Sequence, residues 1–318
     1  MQDNPLISIV IPSFNQAAFL EQAIQSVLEQ DYPNIELWIM DGGSSDGSLE
    51  LIKKYNKHLA GWVSEKDRGQ ADGINKGLQR CKGQIAAWLN SDDRYLQGAL
   101  SKAAELFRKN PEASFVFSDV ESIDQNGKAF NLMHYGHWNL AQLLQFHIIG
   151  QPAVFMNREV LDKAGLLDSS YHYLLDHQLW LRLAVIADPV YAPGQVWAQA
   201  RIHDKAKNVA QAQFFGPEAF RLAHWIGNDE RFYPESARNH RKIWAGAYRI
   251  SAFYLVDAGS PQKAMKMYRH SFKLDPLPAL RQWRHWFLAL AGSMGLRNFR
   301  NTFDKLRKHF YKKTVQGK

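Results

Sequence analysis

Residues 6–14 read LISIVIPSF, an almost unbroken apolar, β-branched run closed by Pro12. A run with no polar alternation suits a strand covered on both faces. Directly after it, Phe19, Leu20, Ala23, Ile24, Val27 and Leu28 recur at helical spacing over residues 17–30. The same alternation continues. Strands are expected at 35–40, 58–64, 85–89 and 114–119, and helices at 48–55, 71–81 and 97–109. Strand and helix alternate at intervals of roughly 20–30 residues, which predicts an α/β fold: a mostly parallel sheet with helices on both faces.

In such sheets ligands sit at the carboxyl ends of the strands. Polar clusters fall at three of those ends: Asp41-Gly42-Gly43, Ser64-Glu65-Lys66-Asp67 and Asn90-Ser91-Asp92-Asp93. Carboxylates gathered at one end of a buried sheet repel one another, so stability does not account for them. Two neighbouring acidic clusters suit a nucleoside diphosphate. One carboxylate accepts from a base or ribose donor, and the other holds a hard divalent cation such as Mg²⁺ or Mn²⁺. A Walker-type loop is excluded, because no G-x-x-x-x-G-K-[ST] occurs. The dinucleotide fingerprint G-x-G-x-x-G is absent as well. Taken by itself, DGGSSDGS reads equally well as a Gly-rich turn that caps the next helix with Ser45 or Asp46.

Four segments occur in order. They are VIPSFNQAAFLEQAIQSVLEQDYPNIELWIMDGGSSDGS, EKDRGQADGINKGLQRCKGQIAAWLNSDD, QPAVFMNREVLDKAGLLDSSYHYLLDHQLWLRLA and ARIHDKAKN. Together they resemble the large family of inverting, GT-A-fold glycosyltransferases called family two, over about residues 6–208. The resemblance implies a Rossmann-like GT-A domain over residues 1–208, a nucleotide-sugar donor and a Mn²⁺ or Mg²⁺ ion. It implies that Pro12, Phe14 and Asn15 lie beside the nucleotide and that Asp41 accepts from the base, most simply the imide N–H of uracil. Asp67 and Arg68 would hold the nucleoside, and Arg68 would also face phosphate. Asn90, Ser91 and Asp92 would form the DxD-type loop, with Asp92 the metal carboxylate and His203 a further metal ligand. Asn90 departs from the family pattern, which has an acidic residue there, so an amide would make the ribose or sugar contact. For His203 an ordinary surface loop histidine is an equal alternative.

The same resemblance implies that Asp176 is the general base. In an inverting transfer the acceptor hydroxyl attacks the anomeric carbon opposite the departing nucleoside diphosphate, and a carboxylate within hydrogen-bond reach takes its proton. Asp176 opens an apolar helix, so a plain N-cap is the competing reading. The family often places Glu before this Asp, and here Leu175 stands there. Asp93, Trp138, His147, Gln151 and Trp180 are expected on the acceptor side, since aromatic faces stack on sugar C–H surfaces, although large aromatics more often serve the core.

The net charge of +8 hides an asymmetry. Residues 206–318 hold 21 Lys+Arg and 7 Asp+Glu, against 18 and 24 over residues 1–205. Beyond about residue 206 helices dominate, expected at 238–257, 261–274, 278–291 and 296–311. Residues 209–318 are therefore read as a basic, aromatic-rich helical region. Within it, residues 281–318 carry ten Lys+Arg and one acidic residue, interleaved with Trp283, Trp286, Phe287, Phe299, Phe303, Phe310 and Tyr311. This composition suits an amphipathic segment on an anionic membrane surface. A helical cap with a solvated basic face is close behind it, and nucleic acid is the weakest of the three. The lone Cys81 excludes a disulfide scaffold and fits a reducing compartment. No basic n-region precedes the first apolar run, and no apolar stretch reaches the roughly 20 residues that span a bilayer. A cytoplasmic protein is expected, peripheral on the inner face of the plasma membrane where it meets a saccharide or lipid-linked saccharide acceptor.

Two rival classes remain. A nucleotidyltransferase on a similar sheet needs a Gly-rich, basic loop after the first strand, where this chain has Pro12-Ser13-Phe14-Asn15-Gln16. A nucleic-acid-binding protein built on the basic tail leaves the carboxylates of residues 41–93 unexplained.

Overall fold

A computed structural model of the chain describes residues 4–295. The helix expected at 296–311, and with it the greater part of the basic tail, lies outside the described residues. The strands are β1 (Ile7–Ser13), β2 (Ile35–Asp41), β3 (Gly61–Ser64), β4 (Ile85–Trp88), β5 (Arg94–Tyr95), β6 (Phe115–Ile123), β7 (Ala129–Met133), β8 (Val154–Asn157) and β9 (Val190–Arg201). The first helices are α1 (Ala17–Leu28), α2 (Ser48–Tyr55), α3 (Gln70–Leu78), α4 (Ala99–Lys109), α5 (Leu140–Leu144), α6 (Arg158–Ala164) and α7 (Leu175–Ile186). They are followed by α8 (Lys207–Ala210), α9 (Phe215–Asn228), α10 (Glu235–Asp257), α11 (Pro261–Leu274), α12 (Pro276–Arg281) and α13 (Trp283–Ser293).

The chain divides into two compact units. One comprises the chain up to Ile123 with Leu132–Asn139 and Ile149–Arg201, and the other Asp124–Asn131, Leu140–Ile148 and the chain from Ile202 on.

In the first unit the strand order is β3-β2-β1-β4-β8-β6-β9-β5. The first four strands are parallel neighbours, in a register that sets Ser13 opposite Asp41 and Asp41 opposite Ser64. That register brings the carboxyl ends of β1, β2 and β3 level, so their loops meet at one edge. All seven residues of β1 are buried, as an unbroken apolar run demands. Ile7, Ile9 and Ile11 pack into a core shared with Leu20, Ala23, Ile24 and Val27 of α1. On the other face α3 comes so close that a Cβ at Gly77 would overlap the Val10 side chain. Glycine at that position sets the height of α3, and so of the loop that leads into it.

Beyond β4 the sheet becomes mixed. β8 runs antiparallel to β4 and β6, β9 runs parallel to β6, and β5 antiparallel to β9. No strand was expected at β9, because Pro193 and Gly194 interrupt its pattern. The structure tolerates them as a bulge: pairing jumps from Ser118–Ala192 to Asp119–Val196, and Gly194 takes φ +70°.

In the second unit α10 and α11 form a helical hairpin around Gly259, whose φ of 70° fits the turn. Ala252, Val256, Ala264, Met265, Tyr268 and Ala289 make its core. Two features depart from expectation. The helix expected at 278–291 is two helices, broken where Gln282 leaves helical geometry (φ −90°, ψ 25°). Helix α9 was not anticipated. Among the described residues no helix is long and apolar enough to cross a membrane.

Candidate active site

The loop after β2 is organised by Asp41, which is buried. Its Oδ2 accepts from the backbone N–H groups of Gly43 (3.1 Å) and Ser44 (3.0 Å) and from Ser64 Oγ (2.6 Å). Its Oδ1 accepts from Ser44 Oγ (2.5 Å). Asp41 therefore ties the ends of β2 and β3 together from within. Ser44 Oγ in turn accepts from the N–H of Asn15 (2.8 Å), and Asn15 Oδ1 accepts from the N–H of Ser45 (2.9 Å). Asn15 sits at φ 51°, a left-handed conformation that asparagine tolerates better than most residues. Asp46 serves two helices: Oδ2 accepts from the first N–H of α1, Ala17, at 2.9 Å, and Oδ1 from Ser48 N and Oγ of α2. Burial works to raise its pKa, but the bonds from Ser48 and Ala17 outweigh burial and hold it below the usual range. Gly47, not Asp46 or Ser45, holds the N-cap position of α2; Asp46 accepts from the first N–H of each helix from outside the cap position, while Asp41 braces the loop.

Beside this loop lies a pocket of about 180 Å³, open space at its mouth included, lined by Met40, Asp41, Val63, Glu65, Asp67, Gly73 and Lys76. Asp67 Oδ1 accepts from the N–H of Gly69 at 2.9 Å. Its other oxygen lies against two glycines: a Cβ at Gly42 would stand 2.7 Å from Oδ2, and one at Gly73 3.2 Å. The same Gly42 Cβ would lie 3.3 Å from the exposed Phe14 ring, and a Cβ at Gly73 would lie 4.0 Å from Pro12 Cβ. Pro12, Phe14, Asp41 and Asp67 are thereby brought together, as expected. Arg68 points into solvent and pairs with Asp72 (3.2 Å), a contact worth little at that exposure. Lys76 bridges Glu65 (2.8 Å) and Asp72 (3.3 Å) at the pocket wall. The Arg68 N–H leads the contacts that hold Asp72 below the usual carboxylate range, against the opposing effect of burial.

At the end of β4, Asn90 is held on three sides. Its Oδ1 accepts from Gln70 Nε2 (2.8 Å), and its amide donates to Asp93 Oδ2 (3.1 Å) and Gln151 Oε1 (3.2 Å). Gln151, buried, donates to the Trp88 carbonyl at 2.8 Å. Ser91 is buried beside them. Asp93 is buried too and accepts from the N–H of Arg201 at 2.9 Å. Burial first, and the charge of Asp92 second, push its carboxyl well above the ordinary range. Asp92 is half-buried, and its carbonyl accepts from Arg201 Nε at 2.9 Å. Arg201 also donates to Gln22 Oε1 (2.8 Å) and covers the Phe19 ring at 4.8 Å. Sequence reasoning missed Gln70 and Arg201 as supports of this loop. The signal available was Arg201 in the fourth segment, but nothing local shows that its backbone reaches Asp93.

Among the described residues no three His, Cys, Asp or Glu side chains converge as a metal cluster. With the Asp93 carboxylate turned to Arg201 and Asn90, Asp92 is the carboxylate of this loop suited to a cation. One hard oxygen ligand fits Mg²⁺ or Mn²⁺ that brings phosphate and water oxygens with it. His203 falls in the second unit, as does His147.

Asp176 is half-buried in the first turn of α7, and its Oδ1 accepts from the N–H of His177 at 2.7 Å. The N-cap position belongs to Leu174, so Asp176 is not the cap that the plain reading proposed. Burial foremost, then the charges of Asp119 and Asp176, raise the Tyr135 hydroxyl, so Asp176 acts electrostatically on that ring. Trp138 packs edge-on against Tyr135 at 5.5 Å. The expectation that Trp180 lines an acceptor surface fails. Its side chain is fully buried and stacked on Trp88 at 5.3 Å, because α7 is buried along most of its length, its polar His177, Gln178 and Arg182 included.

Residues 8–163 match the profile of Glycosyl transferase family 2. The matched span ends before Asp176. An uncharacterized glycosyltransferase of Rickettsia typhi is 27% identical over 233 residues, covering 70% of this chain and 71% of that protein. TarS of S. aureus in complex with UDP superposes with a TM-score of 0.62 at 15% identity, over 98% of this chain and 92% of its own. A mannosyltransferase of Pyrobaculum calidifontis in complex with GDP-Man and Mn²⁺ gives 0.61 at 17% identity, over 99% and 87%. The fold is GT-A, with a helical C-terminal region. Residues 8–163 carry the family 2 glycosyltransferase profile, and the chain is a glycosyltransferase with a GT-A fold.

Proposed function

We propose that this protein is an inverting, metal-dependent glycosyltransferase that moves a sugar from a UDP-sugar to a hydroxyl of a glycan or lipid-linked saccharide. Its place is cell-surface polysaccharide synthesis, at the cytoplasmic side of the membrane, with the 281–318 segment on the lipid surface. The observation that carries the donor reading is the Asp67 carboxylate, packed against Gly42 and Gly73 in the pocket that Asp41 braces. Asp41 was the expected acceptor for the base, but its carboxylate already takes four internal hydrogen bonds, so the base N–H falls to Asp67 instead. Pro12 and Phe14 supply apolar contact beside it. Asn90, whose amide is committed to Asp93 and Gln151, holds the loop in place, and Asp92 is the carboxylate that would hold Mn²⁺ or Mg²⁺. The ion, when bound, offsets the charge that develops on the leaving diphosphate.

The acceptor hydroxyl then attacks the anomeric carbon from the face opposite the diphosphate, and Asp176 takes its proton. The anomeric C–O bond to the diphosphate breaks as the new one forms, which inverts that centre. The neighbouring folds bind UDP in one case and GDP-Man in the other, so the base is the discriminating measurement. Calorimetric titration with UDP and GDP, with and without Mn²⁺, should show metal-supported binding and at least a tenfold preference for UDP. Tighter binding of GDP, or binding indifferent to metal, would overturn the donor assignment.

A further inference from the structure

Helices α11, α12 and α13 together present a surface that the transfer chemistry does not use. On α11 the exposed positions include Lys263, Lys266, Arg269 and Lys273, spaced three to four residues apart along one face. The opposite face of α11 is spent on the unit's core, through Ala264, Met265 and Tyr268. Next in the chain, α12 and α13 turn apolar side chains outward. Leu277 and Met294 are 70% exposed, Trp283 58% and Leu280 56%, and Trp286 is exposed with them. Ala289 of α13 packs inward against the hairpin, so the outward face is the remainder of an amphipathic helix, not a frayed end. Arg284 lies over the Trp283 ring at 5.5 Å. From residue 258 to 295 there are six Lys+Arg and one acidic residue, Asp275.

Exposed Trp and Leu that follow directly on a basic helix face are what an anionic bilayer selects. Apolar side chains enter the headgroup boundary, and Lys and Arg meet lipid phosphates. Nucleic acid accounts for the basic face but not for leucines and a methionine standing in solvent. We infer that α11–α13 form a lipid-docking face, with the basic stripe of α11 and the apolar side chains of α12–α13 seated together on an anionic phospholipid surface. This enlarges the proposed membrane contact from the 281–318 segment to α11. It rests on the transferase reading only for its cellular setting. Lipid binding is measured without donor or acceptor, so its failure and the failure of the donor assignment are separate results.

The test is flotation of the full chain with vesicles of phosphatidylcholine alone and of phosphatidylcholine mixed with phosphatidylglycerol, at low and high salt. Binding is expected only to the mixed vesicles and should weaken as salt rises. The triple substitution Lys263→Glu, Lys266→Glu, Arg269→Glu should lower vesicle affinity on the order of 10²-fold. Leu277→Ser with Trp283→Ser keeps every charge and should still lower affinity about tenfold or more. All five positions are exposed, and an unchanged melting temperature and UDP affinity would confirm intact variants. Tryptophan fluorescence supplies the second readout, with emission shifting to the blue on anionic vesicles and less so in the Trp283 variant. Equal binding to neutral vesicles, no binding at low salt, or full binding by either variant would overturn the inference. So would tighter binding to RNA than to lipid, or a dimer that the Leu277→Ser, Trp283→Ser pair dissolves.

Discussion

The backbone N–H of Arg201, the last residue of β9, donates to Asp93 Oδ1 at 2.9 Å, and the Arg201 guanidinium returns to the carbonyl of Asp92 at 2.9 Å. Two adjacent carboxylates thus have different work. Asp93 fastens the loop to β9, and the half-buried Asp92 is presented by it. Asp93→Ala should cost about 2–4 kcal/mol of stability, because the Arg201 N–H and the Asn90 amide lose their buried acceptor. Asp92→Ala should abolish the gain in UDP affinity produced by Mn²⁺. Denaturant titration and calorimetry on the two variants separate the roles.

Gly42 and Asp67 are a second linked pair. A methyl group at Gly42 would stand 2.7 Å from Asp67 Oδ2, with the Phe14 ring at 3.3 Å on another side. The carboxylate must move to admit it. Gly42→Ala should therefore weaken UDP binding by about tenfold or more, the loss expected when a charge-assisted hydrogen bond is misplaced. Calorimetry reads the affinity, and a circular-dichroism melt should show a far smaller effect on the fold.

Asp176→Asn keeps the shape of the side chain and removes its ability to take a proton. Transfer should fall by a factor on the order of 10² to 10⁴ while UDP affinity stays within about twofold. A steady-state assay of released UDP checks the first expectation and titration the second. Full activity in this variant would remove Asp176 from the reaction.

Cys81 is buried, and burial, aided by the nearby charge of Glu36, pushes its thiol up to about 12 from the ordinary 9.0. Its contribution to stability is complete below pH 9, where the thiol is neutral in folded and unfolded chain alike. As pH rises from 9 toward 12 the unfolded thiol ionises and the folded one does not, so stability is lost at about 1.4 kcal/mol per pH unit. Cys81→Ala lacks this loss, and the stability difference between wild type and variant should shrink or reverse over that window. At pH 8 the native thiol should resist a disulfide reagent that titrates it at once in denaturant.

The parallel half of the sheet was legible because each of its strands is an apolar run and each helix shows one apolar stripe. Strands β1, β2 and β4 and helices α1, α2 and α11 stand within a few residues of where periodicity puts them. Beyond β4 only β6, expected at 114–119, was legible. β9 contains Pro193 and Gly194, and only its pairing with β6 makes it a strand. Trp180 shows the same limit at the level of one side chain. Its residue type suits a sugar surface, and its burial against Trp88 and Phe115 decides otherwise.

The sequence by itself determined the α/β alternation, the three polar strand ends and the family, because each is written in neighbouring residues. The tertiary structure alone decided which carboxylates are presented and which are internal ties. Asp41, Asp46 and Asp93 look alike in the chain to Asp67 and Asp92. Hydrogen bonds from Ser64, Ala17 and Arg201 reach the first three from other elements. Hydrogen bonds between residues 23 to 108 positions apart have no local signature. They exist only once packing has brought the strand ends together.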